Sequence, residues 1–424
     1  MKPKINNLFT KPFWGLYKQE FVILALLYII YIFLCPHKGL ASDSWCWSEW
    51  TKYIFLYGLS NTYQGWTEYP PGQQYFFYLL GYVEGNVENI DKNIYHLKYL
   101  TLIFDFAGAL LCLMVFQKNK NDFYKVLLIL LNICYVYNTL IWGQVDSIFS
   151  FFVFASVIAA TKNRVILSAV LYLVALSFKL QAIIFLPLVF LLLLSKTLED
   201  YKISDYIKLL GVCIFTVLLI IFPFLNFYER MVLAMTSSVD RYPVISMDAY
   251  NMWHLFFWKK IDLTHMKDTI IFLNLSYKNW GHLLFFISSG IALLPMTIAI
   301  YKKLFLRKAI LLDTAHILLL GALIPLLFFF FNTQMHERYS HPAFLFIIAY
   351  SFLCKRYFLY VIFSIAYFLN LEKTLLAFDL NYGTFIFGER FIAGLYLITI
   401  ILLFRELISN SNASNKAQNN CRIQ

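Results

Sequence analysis

Apolar runs of about 15 to 23 residues alternate with short polar stretches along most of the chain. A helix of that length can cross hydrocarbon with every backbone N–H and C=O bonded within itself. The pattern predicts about twelve spans: 21–35, 95–116, 126–141, 148–160, 165–178, 182–194, 209–225, one ending at 301, 309–331, 343–354, 357–371 and 391–404. The expected fold is an all-α polytopic membrane protein. No small-residue cleavage site follows the first run, which ends in Cys35-Pro36, so that run is expected to stay as the first helix.

Two longer polar stretches, 37–94 and 226–280, interrupt the pattern. Within the first, residues 45–57 mix aromatic side chains with Glu49 and Lys52, as a helix lying in the membrane interface does. Residues 73–83 are too short and too polar at their flanks to span, and read as a second interfacial helix.

Composition agrees. Of 424 residues, 60% are apolar and 14% charged, against about 25% charged in a soluble domain. Residues 1–404 are expected to form one transmembrane domain. Residues 405–424, rich in Asn and Ser, are expected to form a disordered cytoplasmic tail. The net charge of +11 could suggest nucleic acid, but the basic residues collect in short loops. These include Lys118, Lys120 and Lys125, then Lys162 and Arg164, then Lys302, Lys303, Arg307 and Lys308, then Lys355 and Arg356. The positive-inside rule explains that placement without a nucleic-acid partner. With Lys2, Lys4, Lys11 and Lys18 ahead of the first span, both termini fall inside, and 37–94 and 226–280 fall outside. Cys112, Cys134, Cys213 and Cys354 lie in apolar runs, where a lone Cys behaves as a small hydrophobe, and no CxxC spacing occurs.

The candidate chemistry then falls on the outer side. Asp43 sits just beyond the first span, with Glu49 its nearest rival. Glu68-Tyr69-Pro70-Pro71 is a rigid extended stretch, or else a turn re-entering the membrane. Trp142-Gly143-Gln144-Val145-Asp146 brings an amide and an acid to a membrane edge, where an acid is costly and usually functional. Lys179 is flanked by apolar residues and needs an anionic partner or a snorkelling route. His336-Glu337-Arg338 follows a long apolar span; Arg offers a planar fork suited to phosphate oxygens. His341 is a weaker candidate, as is Asp105, which lies mid-span where pairing with another helix would account for it. An acid to take a proton and cations to hold a leaving phosphate fit one chemistry at the outer surface.

On these residues the chain resembles the GT-C superfamily of integral-membrane glycosyltransferases, which use polyprenyl-phosphate-linked sugars. It is similar to bacterial proteins related to the second mannosyltransferase of GPI-anchor synthesis, and to the glucosyltransferases that extend the dolichol-linked glycan. The resemblance rests on Asp43 with Trp50 seven residues on, and on Glu68-Tyr69-Pro70-Pro71. It also rests on Lys179 and Gln181 with Pro187, on Arg241-Tyr242-Pro243 before Asn251 and Trp253, on His336-Glu337-Arg338, and on the Trp142–Ser147 stretch. Glu68 stands where Asp is commoner, and the Trp142 element lacks the His-rich form of the glycan-extending enzymes.

The resemblance implies a GT-C fold and roles for these residues. Asp43 would be the general base on an acceptor hydroxyl. His336, Arg338 and Lys179 would bind the donor phosphate, and Glu68, Tyr69, Gln144, Asp146, Glu337, Asn251 and Trp253 the substrates. Direct displacement would invert the anomeric centre. The implied donor is a polyprenyl phosphate carrying mannose or glucose, and the acceptor a surface glycan or lipid-linked glycan. Several relatives need no metal, while oligosaccharyltransferases use one, so Mg or Mn stays open, and Asp146 or Glu68 could approach Asp43 in space. The Lys-, Asn-, Ile- and Phe-rich usage points to an AT-rich bacterial genome, hence the inner membrane and undecaprenyl phosphate. The rival readings are a polysaccharide polymerase using an oligosaccharide diphosphate donor and a lipid-linked-sugar flippase or transporter. No matching halves of the kind transporters carry are visible.

Overall fold

The computed structural model describes residues 18–237, 240–257, 261–306 and 313–420. Lys2, Lys4, Lys11, Arg307 and Lys308, used above to orient the chain, lie outside them. Regular structure is almost all helical; the described strands are four two-residue segments in two small pairs. Among the described residues, seven helices are long and apolar enough to cross a membrane: His96–Phe116, Leu180–Leu198, Ile203–Thr236, Tyr277–Leu306, Thr314–Phe331, Tyr357–Leu375 and Glu389–Asn410. The chain is an all-α protein built to sit in a membrane.

Length and composition alone account for seven of the expected twelve crossings among the described residues. The run expected at 126–141 is broken into Lys120–Leu130 and Ile133–Trp142, bent by 54°. Asn132 sits at the break; its side chain caps the Cys134 N–H and donates to Tyr360 Oη (2.7 Å) and Ser364 Oγ (2.9 Å). Three other apolar helices, Asp146–Thr161, Val165–Phe178 and Ala343–Cys354, have 16, 14 and 12 residues. At about 1.5 Å per residue these are shorter than a hydrocarbon core of about 30 Å.

The bundle has a centre and an outside. Thr314–Phe331 is buried over 83% of its apolar window, Ile203–Thr236 over 11%. The latter presents Ile203, Leu210, Phe215, Leu219 and Phe222 outward. An apolar helix packed so little against protein has a surface suited to lipid.

Residues 37–94 are mostly helical, not an open loop. They form Ala41–Tyr57, a short 3₁₀ turn at Leu59–Gln64, Pro71–Glu84 and Val87–Asn93. Pro71 starts its helix at the first position, where its missing N–H costs nothing. Gly85 ends it in the left-handed region (φ 73°) with its N–H on the Gly81 carbonyl. Asp43 therefore lies in the first turn of a helix. The second long polar stretch begins later than residue 226, because Ile203–Thr236 continues through Pro223 in a 3₁₀ turn. Its Ser246–Met247 segment pairs in parallel with Met335–His336. The last helix, Glu389–Asn420, runs on into the polar stretch that begins at Arg405. Glu406 anchors it by accepting from Tyr350 Oη (2.8 Å) and Arg356 Nε (3.2 Å).

Candidate functional site

Chain reversals at one end of the bundle meet around a cavity of about 590 Å³. Its wall includes Asp43, Glu68 and Tyr69 from the segment 37–94, Lys179 from the turn after Val165–Phe178, and His336 and Arg338 from the turn after Thr314–Phe331. The sequence singled out all six. Two helices adjoining these turns have basic residues at their other ends: Val165–Phe178 starts after Lys162 and Arg164, and Ala343–Cys354 ends at Lys355 and Arg356.

Asp43 is held by two neutral donors. Trp142 Nε1 (3.2 Å) and the Gln144 side-chain amide both donate to its Oδ2, and no described residue bonds Oδ1. The N-terminal helical turn also favours a carboxylate there. Glu49, the rival acid, pairs with Lys52 (2.6 Å) and does not line the cavity.

The backbone that presents Asp43 is fixed from behind by Lys98. Its Nζ donates to the carbonyls of Pro36, Lys38 and Leu140, each at 2.8 Å. Leu40 N–H bonds the Trp142 carbonyl (3.1 Å). The strand of chain bearing Asp43 is thus tied to the strand of chain bearing its donors. The sequence reading passed over Lys98, although a Lys inside the apolar 95–116 run was the signal for it.

Two cations form the opposite wall, and each has a buried carboxylate behind it. Asp146, in the first turn of Asp146–Thr161, pairs with Lys179. Glu337 bonds Arg338 Nη1 at 2.5 Å and lies 3.6 Å from His336 Nδ1. Asp146 Oδ2 also lies 3.6 Å from Arg338 Nε. Lys179 therefore gains the anionic partner it needed, and snorkelling is not required. Burial works against the charge of Glu337, but the Arg338 guanidinium and then His336 outweigh it and hold the carboxyl below its ordinary range. Burial works against Arg338 too; Glu337, Asp43 and Asp146 reverse this and hold it well above. Burial of Lys179 outweighs Asp146 and keeps its ammonium below the usual lysine range. Arg338 Nε is buried on the Asp146 side and has no hydrogen-bond partner, while the Lys179 ammonium has three N–H donors, only one of which Asp146 takes. Gln181 fastens the two cationic turns together, donating to the Tyr339 carbonyl at 3.0 Å.

No protein-family model matches the chain, and no curated protein matches it. The site is therefore read from its own geometry.

Gln144, Asp146 and Glu337 stand behind the cavity wall, each bonded to a residue that lines it. Asn251 and Trp253 lie away from it. Asn251 donates to the Phe329 and Asn332 carbonyls (3.0 and 3.2 Å), and Trp253 Nε1 to the Phe331 carbonyl (3.1 Å). They close the last turn of Thr314–Phe331 and so fix where the His336 turn starts. Asp105 accepts from Ser147 Oγ (2.6 Å), which also contacts His341 Nε2 (3.3 Å), a fully buried network beneath the site.

The donor set around Asp43 does not fit a divalent metal. Its neighbours Trp142 and Gln144 present N–H groups, which repel a cation. The acids expected to join it are committed elsewhere, Asp146 to Lys179 and Glu68 to Arg241. No group of three or more His, Cys, Asp or Glu able to hold a metal occurs among the described residues.

Proposed function

We propose that this chain is a membrane glycosyltransferase that moves a single hexose, mannose or glucose, from a polyprenyl phosphate to a glycan or glycolipid acceptor. The observation that carries the reading is one cavity walled by an unneutralised carboxylate, Asp43, and by the cations Lys179, Arg338 and His336. The acid is held by neutral donors and the cations by buried acids, so the opposed charges do not collapse onto each other.

In the proposed reaction the acceptor oxygen attacks the anomeric carbon and the bond from that carbon to the phosphate oxygen breaks. Asp43 takes the acceptor proton through Oδ1. The polyprenyl phosphate leaves with the electron pair, its new charge met by Lys179, Arg338 and His336. Attack opposite the leaving group inverts the centre. The steps need no metal, in keeping with the donor set at Asp43.

A GT-C arrangement accommodates the helices if each of the seven long ones, the bent pair, the three short apolar ones and Lys18–Leu34 makes one crossing, which gives twelve. The basic ends then face the cytoplasm and the cavity faces outward, at the outer surface of a bacterial inner membrane.

The test is purified protein in detergent, given radiolabelled glucosyl- or mannosyl-phosphoryl polyprenol with membrane lipid extract as acceptor. Label in a new glycolipid supports the reading. Label transferred only from an oligosaccharide diphosphate polyprenol makes the protein a polymerase. No transfer from either, with folded protein, removes the enzyme reading in favour of transport.

A further inference from the structure

The cavity has a second polar wall that the reaction above does not use. Lys278 Nζ meets both carboxylate oxygens of Asp240 (2.5 and 2.6 Å). The Gln334 side-chain amide donates to Asp240 Oδ1 (3.2 Å) and to Asp268 Oδ2 (2.8 Å). Asp240, Lys278, Gln334 and His282 all line the cavity. Asp268 stands behind them, fully buried, and its Oδ1 has no hydrogen-bond partner. A carboxylate oxygen left so is costly unless a donor reaches the array.

Aromatic faces line the same cavity. Tyr242 and Trp66 line the cavity yet stay 44% and 50% exposed. The Tyr242 ring meets the His336 ring edge-on, centroids 5.9 Å apart, so this wall runs directly into the proposed phosphate site.

We infer that this wall is a subsite for one pyranose ring of the acceptor, with Tyr242 and Trp66 as stacking faces and the Asp240–Lys278–Gln334 array, with His282, reading its hydroxyls. The inference rests on the glycosyltransferase reading and assigns to this wall one sugar ring of its glycan acceptor. Charge selects the ligand class. Lys278 is already matched on both oxygens of Asp240, and Asp268 adds a second acid, so the wall carries no net positive charge to draw a phosphate. A cation would have to displace the Lys278 ammonium. An alkyl chain would leave these charged groups unsolvated. A ring with several hydroxyls can donate to carboxylates and accept from Lys and Gln at once, while its C–H face covers an aromatic ring. The Asp240 side chain is half exposed, so the ring would arrive from the aqueous side.

The probes are methyl α-mannopyranoside and methyl α-glucopyranoside, with sorbitol as an acyclic polyol control. Binding to the full chain in detergent is followed by tryptophan fluorescence, for wild type, Asp240→Asn and Lys278→Gln. Both replaced residues are partly exposed, so the fold survives either change. The expected result is a saturable response to a pyranoside, none to sorbitol, and affinity weakened roughly tenfold by either variant, as for loss of one charge-assisted hydrogen bond. No pyranoside response, an equal response to sorbitol, or variants that match wild type would overturn the subsite. Pyranoside binding without transfer from polyprenyl-phosphate hexose would keep the subsite and remove the donor reading. Transfer with an acceptor KM unchanged in Asp240→Asn would keep the donor reading and remove the subsite.

Discussion

Gln144 donates its side-chain amide to Asp43, 101 residues earlier in the chain, and shares Oδ2 with the Trp142 indole. Both donors stabilise the carboxylate and turn it. Removing one should let the carboxylate turn out of the reacting geometry without touching the cations across the cavity. Gln144→Leu is expected to lower the transfer rate about tenfold, one lost hydrogen bond in the reacting geometry, with the donor KM unchanged. A matching rise in donor KM would show that Gln144 binds substrate instead.

Glu337 carries a pH prediction. Its folded-state carboxyl is held below the ordinary range, chiefly by Arg338 working against burial. A depressed carboxyl contributes stability that is complete above its unfolded pKa and is lost as pH falls through the folded one. Wild type should therefore lose melting temperature steeply below about pH 4. Glu337→Gln should be less stable at neutral pH by about 3 kcal/mol, because Arg338 loses its closest partner, and should have a flatter acid limb. Parallel acid limbs in thermal melts of the two proteins would refute this.

Lys98→Met removes three N–H···O bonds and leaves the carbonyls of Pro36, Lys38 and Leu140 without that donor. The segments carrying Asp43 and Trp142 should then drift apart. The expected outcome is a rate loss of about tenfold or more with donor affinity retained, and a stability loss of about 2 kcal/mol. Donor binding measured beside single-turnover transfer separates these effects. Wild-type transfer would dismiss the positioning role.

Gly72→Ala tests the packing of the segment 37–94 on the chain just before Lys179. An added Cβ would meet the Ser177 carbonyl oxygen at 2.7 Å and its carbon at 2.8 Å. The helix Pro71–Glu84 must back away from the end of Val165–Phe178, at a cost of about 1–3 kcal/mol. Gly211→Ala, in a helix with nothing within 4 Å, should instead be neutral or stabilising by up to about 1 kcal/mol. Urea or thermal melts of the two variants should move in these opposite directions; a Gly72→Ala as stable as wild type would contradict the packing.

The helical class and the site acids and cations were legible because hydrocarbon imposes long apolar runs and makes each polar residue at their edges conspicuous. Asp43, Lys179, His336 and Arg338 stood out in that way and meet at one cavity. Pairings were not legible. Nothing local tells Asp146 to choose Lys179, or Glu68 to choose Arg241; those choices depend on how helices pack. Asn251 and Trp253 were read as substrate ligands, yet they bond the carbonyls at the end of Thr314–Phe331. The short runs at 148–160, 165–178 and 343–354 were legible as helices, but the bend in 126–141 was not, because it depends on Asn132 bonding Tyr360 and Ser364 on another helix.

The central claim is that Asp43 takes the acceptor proton while the cations opposite hold the donor. The most direct measurement is transfer from labelled glucosyl- or mannosyl-phosphoryl polyprenol by wild type and by Asp43→Asn, with donor binding measured on the same preparations. Asn keeps the shape and loses the base. The account predicts transfer reduced by about 10²-fold or more with donor binding unchanged. Transfer by Asp43→Asn at the wild-type rate would contradict it.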